Sequence, residues 1–224
     1  MVKRKIKVAK KAALIIVDVQ NDFCKGGSLA VPLGDEVVAP LNLIAKFFYE
    51  NDLERFASRD LHPYKTSHFK LFGGLWPVHC VKDTKGAKFH KNLRLPNGTW
   101  IASKGMARDE NAYSVFDSSV LNIMDTPLDY QREFAELLLE EKINTLYIGG
   151  LATDYCVKET VLDALKLGFK VYLLADACRA VNIHPDDGEK AIEEMKLAGE
   201  KAGKDKFVLT SVTEVLGNEE AETD

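Results

Sequence analysis

The sequence predicts an α/β fold: a three-layer αβα arrangement around a central, mostly parallel six-stranded sheet. Three observations predict it. Short apolar runs alternate with helical patterns along the whole chain, the order that builds parallel sheets through right-handed crossovers. The first run, 13–17, is continuously apolar, as a strand covered on both faces must be. The 224 residues contain no internal repeat, low-complexity tract or linker. One domain spanning 1–224, with a short basic lead-in, therefore accounts for the chain.

The elements follow in order. After the strand at 13–17, Gly26-Gly27 and Pro32-Leu33-Gly34 punctuate a long loop, and a helical pattern runs over 37–50. Strands are predicted at 53–58 and, more weakly, at 100–103. Between them, 62–96 is long, irregular and rich in Gly, Pro, His and Lys; loops of that length in compact domains usually carry function. A helix is predicted over 128–142 and a strand over 145–148, ended by Gly149-Gly150. A helix over 155–167 is closed by Gly168, a good C-terminal signal. A strand at 170–174, a helix at 186–202 and a last strand at 207–209 complete the pattern.

Composition narrows the function. Hydrophobic residues are 46% and charged residues 29%, which excludes a disordered chain. No run approaches the roughly 20 apolar residues of a membrane span, and the net charge of -4 argues against a general nucleic-acid binder. The basic start resembles the charged head of a signal peptide, but the apolar run behind it is short and leads into Asp18. Cys24, Cys80, Cys156 and Cys178 form no CxxC pair, so free thiols and a reducing, cytoplasmic setting are expected.

In open α/β sheets, ligands sit beyond the carboxyl ends of the strands. There the sequence places Asp18 after the first strand, Asp60 after the second, Lys104 after the third, and Cys156 a short turn beyond Gly149-Gly150. A thiol in the first turn of a helix feels the positive end of the backbone dipole, which favours thiolate. The turn formed by Ala152, Thr153 and Asp154 offers backbone N–H groups to an oxyanion. No histidine neighbours Cys156 in sequence. Asp18, if partly buried, can act as its base, with Lys104 holding the pair in place. Asp60-Leu61-His62 on an extended segment points two ligands to one face, and His68 and His79 follow. Mixed Asp/His ligation suits Zn, Fe or Mn. Cys24, Cys80 and Cys178 have no activating neighbour in sequence, and His90 and His184 have no acid or thiol partner at ligand spacing, so these read as structural or surface residues.

Four segments together resemble the nicotinamidase/pyrazinamidase branch of the isochorismatase-like cysteine hydrolases. They are Asp18-Val19-Gln20-Asn21-Asp22-Phe23, Ser58-Arg59-Asp60-Leu61-His62-Pro63, Leu75-Trp76-Pro77-Val78-His79-Cys80, and Gly150-Leu151-Ala152-Thr153-Asp154-Tyr155-Cys156-Val157. The resemblance implies Cys156 as nucleophile, Asp18 as proton carrier and Lys104 as third member of a triad. It implies one divalent metal ion at Asp60, His62 and His79, with His68 as a candidate fourth ligand that relatives replace by a water-bridged Ser. Phe23 and Trp76 match positions that sandwich a pyridine ring, Tyr113 begins a Tyr-Ser-x-Phe match, and Leu151-Ala152 matches a cis peptide that sets an oxyanion hole from the N–H groups of Ala152 and Cys156. The implied partner is a small amide, nicotinamide, with pyrazinamide as an analogue and a homo-oligomer as an open option. Alternatives are another amidohydrolase of the superfamily, with an N-carbamoyl or ureido substrate, and a non-catalytic binding protein on the same fold. The stretch 117–130 is longer than the usual link in such proteins, and Val78 replaces an acidic residue common there.

Overall fold

Alternate residues of β1 (Ala12–Val17), all buried, divide the core in two. Leu14 and Ile16 face one apolar layer, with Leu41, Ile44 and Phe48 of α1 (Val38–Glu50) and Val212 and Val215 of α5 (Val212–Leu216). Ala13, Ile15 and Val17 face the other. That layer holds Phe134 and Leu137 of α2 (Phe134–Glu140), Val161 and Leu165 of α3 (Lys158–Lys166) and Met195 of α4 (Asp187–Ala202). A period-2 strand with both faces apolar must be covered on both sides, and the helices supply the two covers. The structure is a computed structural model that describes residues 8–110, 113–118, 120–123, 129–130 and 133–217, with side chains of 120–123 and 129–130 outside the description.

The remaining strands are β2 (Glu54–Asp60), β3 (Trp100–Lys104), β4 (Val120–Ile123), β5 (Asp129–Tyr130), β6 (Thr145–Leu151), β7 (Lys170–Arg179) and β8 (Phe207–Thr210). The sheet order is β5-β4-β3-β2-β1-β6-β7-β8. The six strands from β3 to β8 through β1 are parallel, as the sequence predicts. Beyond them, β4 and β5 add an antiparallel pair at one edge. Both of these strands fall within 117–130. The same pairing corrects the helix predicted over 128–142: Asp129 and Tyr130 are strand, and the helix begins only at Phe134. β7 also runs five residues past its predicted end, to Arg179, because a register shift between Ile148 and Gly150 lets Gly150 and Leu151 pair with Cys178 and Arg179.

Gly150 is the tightest point of that shift. Its φ is +132° and a Cβ there would lie 2.1 Å from the Val17 carbonyl oxygen, so both its conformation and its space require glycine. Gly150→Ala is expected to cost at least about 3 kcal/mol, through backbone strain and overpacking at once. Chemical denaturation checks this; near-normal stability would contradict it.

Candidate active site

The strand order makes β3, β2, β1 and β6 neighbours, so four carboxyl ends bearing two carboxylates, an amine and a thiol meet on one edge. Asp18 follows β1 in a left-handed conformation, φ 49°. Asp60 and Lys104 end β2 and β3 and are register partners across them. Cys156 stands in a single π turn, Thr153–Val157, between β6 and α3.

Lys104, with no solvent exposure, is the hub. Its Nζ lies 2.8 Å from Asp18 Oδ2 and 3.5 Å from Cys156 Sγ, and it donates to Asp60 Oδ1. Sγ and one carboxylate oxygen each from Asp18 and Asp60 fall within 4.8 Å of one another. Three groups predicted to work together are therefore together. Burial raises the Asp18 carboxyl above its ordinary value, against the pull of Lys104 and of the Ser58 hydroxyl. The two carboxylates raise the Lys104 ammonium well above its ordinary range despite burial.

The π turn of Cys156 runs directly into α3. The regular helix α3 starts only at Lys158, and burial, partly offset by Lys104, raises the thiol well above its ordinary value. A thiol pushed up in this way needs a base within reach, and Asp18 is that neighbour. Ser58 Oγ donates to Asp18 Oδ1 at 2.7 Å, a contact between adjacent strands that sequence order does not reveal. Ser58→Ala removes a bond that lowers the Asp18 pKa, so the carboxyl titrates higher. The acid limb of the kcat/KM profile should then move to higher pH, with a loss of about tenfold below it, the worth of one hydrogen bond to a charged group. An unchanged profile would contradict this role.

The second cluster is Asp60, His62 and His79, all buried, with ligand atoms within 4.8 Å of one another. Asp60 Oδ2, the oxygen turned away from Lys104, lies 3.5 Å from His62 Nε2 and 3.8 Å from His79 Nε2. His62 Nδ1 faces the Gly105 carbonyl at 3.0 Å and His79 Nδ1 the Pro77 carbonyl at 2.8 Å. Carbonyls only accept, so the hydrogen-bond network assigns the proton to Nδ1 in both rings and leaves both Nε2 lone pairs facing the carboxylate. Two imidazole nitrogens and a carboxylate oxygen, each oriented by an outer partner, is the donor set of a divalent transition-metal site. Gln20 fixes the third ligand: its side chain bonds Asp60 N–H and C=O, both at 2.8 Å, and the Ala87 carbonyl at 2.8 Å. His68 does not join the three. Its ring stacks on His62 with centroids 5.0 Å apart, but its Nε2 is turned to the Glu110 carbonyl at 2.6 Å.

Between the clusters opens a pocket with about 370 Å³ of free space, mouth included, lined by Phe23, Trp76, Tyr113, Leu151, Ala152 and Cys156 among others. All four residues expected to touch substrate (Phe23, Trp76, Leu151, Tyr113) are on its wall. Trp76 Nε1 donates to Tyr113 Oη at 3.0 Å, and Tyr155 packs edge-on against Trp76 at 4.8 Å. The Leu151–Ala152 peptide is cis. Tyr155 of the π turn also lines the pocket, as do Leu29, Val31 and Val181, loop residues that sequence reasoning misses because without periodicity they carry no signal of where they fold. Asp154 holds one of these loops, accepting from the N–H groups of Val181 and Asn182 at 2.9 and 2.8 Å.

Residues 12–204 match the model of the isochorismatase domain. The chain belongs to the isochorismatase family. Within and around that family, the nicotinamidase of Escherichia coli strain K12 is 38% identical over 202 residues, covering 84% of this chain and 92% of its own. The pyrazinamidase of Pyrococcus horikoshii, solved in complex with zinc, is 39% identical with a TM-score of 0.75, covering 90% of this chain and 99% of that one. PnC1 of L. infantum, solved with nicotinate, is 29% identical with a TM-score of 0.76, covering 94% and 98%.

Proposed function

We propose that the protein is a nicotinamidase, hydrolysing nicotinamide to nicotinate and ammonia, with pyrazinamide as a second substrate. One observation carries the reading: a buried Cys156-Asp18-Lys104 group and a three-donor metal cluster face one aromatic pocket and share Lys104–Asp60 as their link. The similarity to nicotinamide- and pyrazinamide-hydrolysing relatives supports it. Neither lysine nor arginine is among the described lining residues, so a carboxylate-bearing N-carbamoyl substrate would find no cationic side chain there.

Asp60, His62 and His79 would hold the metal, a divalent ion such as Zn, Fe or Mn. When bound, it supplies a Lewis-acidic site for a ring nitrogen. The chain's own groups do the rest. Phe23 and Trp76 clamp the flat ring and bring the amide carbon over Sγ, a gain in effective concentration. Asp18 accepts the Cys156 proton as the sulfur attacks. The N–H groups of Ala152 and Cys156 receive the oxyanion. Asp18 then returns the proton to the departing nitrogen, the C–N bond breaks, and ammonia leaves a thioester. Asp18 next deprotonates water, which attacks the thioester carbon, and the proton goes back to sulfur as nicotinate is released.

An amide panel tests the assignment. Nicotinamide and pyrazinamide should be turned over, and benzamide, which lacks a ring nitrogen, far more slowly. Hydrolysis of N-carbamoyl substrates in preference to nicotinamide would overturn it. All four cysteines are free, which supports a cytoplasmic setting, and no described helix is long and apolar enough to cross a membrane.

A further inference from the structure

We propose that Cys24, Asp35 and His90 form a second metal-ion site, for a borderline divalent ion such as Zn²⁺, behind the wall of the pocket. The three come from separate segments and offer sulfur, carboxylate oxygen and imidazole nitrogen, all within 4.8 Å of one another. His90 Nε2 lies 3.3 Å from Asp35 Oδ1, a separation that two ligands of one tetrahedral ion adopt. Sulfur with nitrogen and oxygen selects Zn²⁺ over Ca²⁺ or Mg²⁺.

The ligands are held in place before any ion arrives. Asp35 Oδ2 accepts the Lys25 N–H at 2.8 Å, which leaves Oδ1 to the cluster. The His90 N–H bonds the Val19 carbonyl at 2.8 Å. Asn42 pins the following residues to α1, donating to the Asn92 carbonyl at 2.9 Å and accepting the Arg94 N–H at 2.7 Å. The Cys24 sulfur is buried, while Asp35 is 42% exposed and provides the way in, with water as a fourth ligand.

Proton balance sets the affinity. The Cys24 thiol must give up its proton to solvent as the sulfur takes the ion. His90 Nδ1 now accepts the Asn92 N–H at 3.3 Å, and the imidazole proton must move from Nε2 to Nδ1 at the expense of that long bond. Metal binding is then of moderate strength. Because Cys24 directly follows Phe23, the ion would tie the loop carrying Phe23, Leu29 and Val31 to the segment of His90.

Cobalt(II) reads the site directly. The Cys156→Ala/Cys80→Ser protein, which removes both thiols that lie near Asp60, is titrated with Co²⁺. A thiolate-to-cobalt charge-transfer band in the near ultraviolet is expected. Adding Cys24→Ser to that background should abolish the band and lower the stoichiometry by one, and Asp35→Asn should weaken binding at that site with the fold intact. No thiolate band at saturating Co²⁺, or a band that survives Cys24→Ser, would overturn the proposal. Neither outcome depends on nicotinamide hydrolysis.

Discussion

Replacing Cys156 with Ala should abolish turnover, by at least about 10³-fold in kcat, with little change in stability. Asp18 and Lys104 would remain paired at 2.8 Å, and the ring-binding wall would be intact. Nicotinamide should therefore still bind, so the loss appears in kcat and in the absence of any acyl-enzyme. Mass spectrometry of quenched wild-type enzyme should show the nicotinoyl adduct on the peptide carrying Cys156, and the variant should show none. An alanine variant with near-normal rates would remove the thiol from the account and leave Asp18 or a bound ion to activate water alone.

Lys104→Met should be severe in a different way. The ammonium sits between two buried carboxylates, Asp18 and Asp60. Methionine fills the space but leaves those charges facing each other. Breaking a buried ion pair from one side typically costs about 3–5 kcal/mol, and activity should be lost with it. The pH dependence carries the sign. Lys104 lowers the Asp18 pKa, so its removal raises a carboxyl that burial already holds above its unfolded value. Such a group favours the folded state most at pH below its unfolded pKa and loses that contribution as pH rises through the folded one. The variant's deficit relative to wild type should therefore be smaller in acid and grow toward neutrality. A deficit independent of pH would show that packing, not charge, dominates.

Much of this site was legible because each buried strand ends abruptly in a polar residue. Ala13 to Val17 can only be core, so Asp18 marks its carboxyl end, and the same logic reaches Asp60 and Lys104. Their convergence follows from parallel strands alone. What the sequence hides is lateral. Ser58 meets Asp18, and Gln20 meets Asp60, only because β2 lies beside β1. His90, read as a surface histidine without partners, lies against Asp35 and Cys24 from far along the chain. Asp129 and Tyr130 passed for the start of a helix because a two-residue edge strand has no periodicity to show. Burial opposes the helix-start effect at Cys156 and pushes the thiol up, an influence that a local dipole argument does not include.

The central claim is that the Cys156 group and the Asp60-His62-His79 cluster act on one substrate. Ammonia release from nicotinamide by purified protein tests it, before chelator treatment, after it, and after add-back of Zn²⁺, Fe²⁺ or Mn²⁺. The account predicts release that chelation suppresses and one of the ions restores. Release at full rate from protein shown to be free of metal would contradict the role of the cluster. No release with any ion, with Cys156 shown to be reduced, would contradict the activity itself.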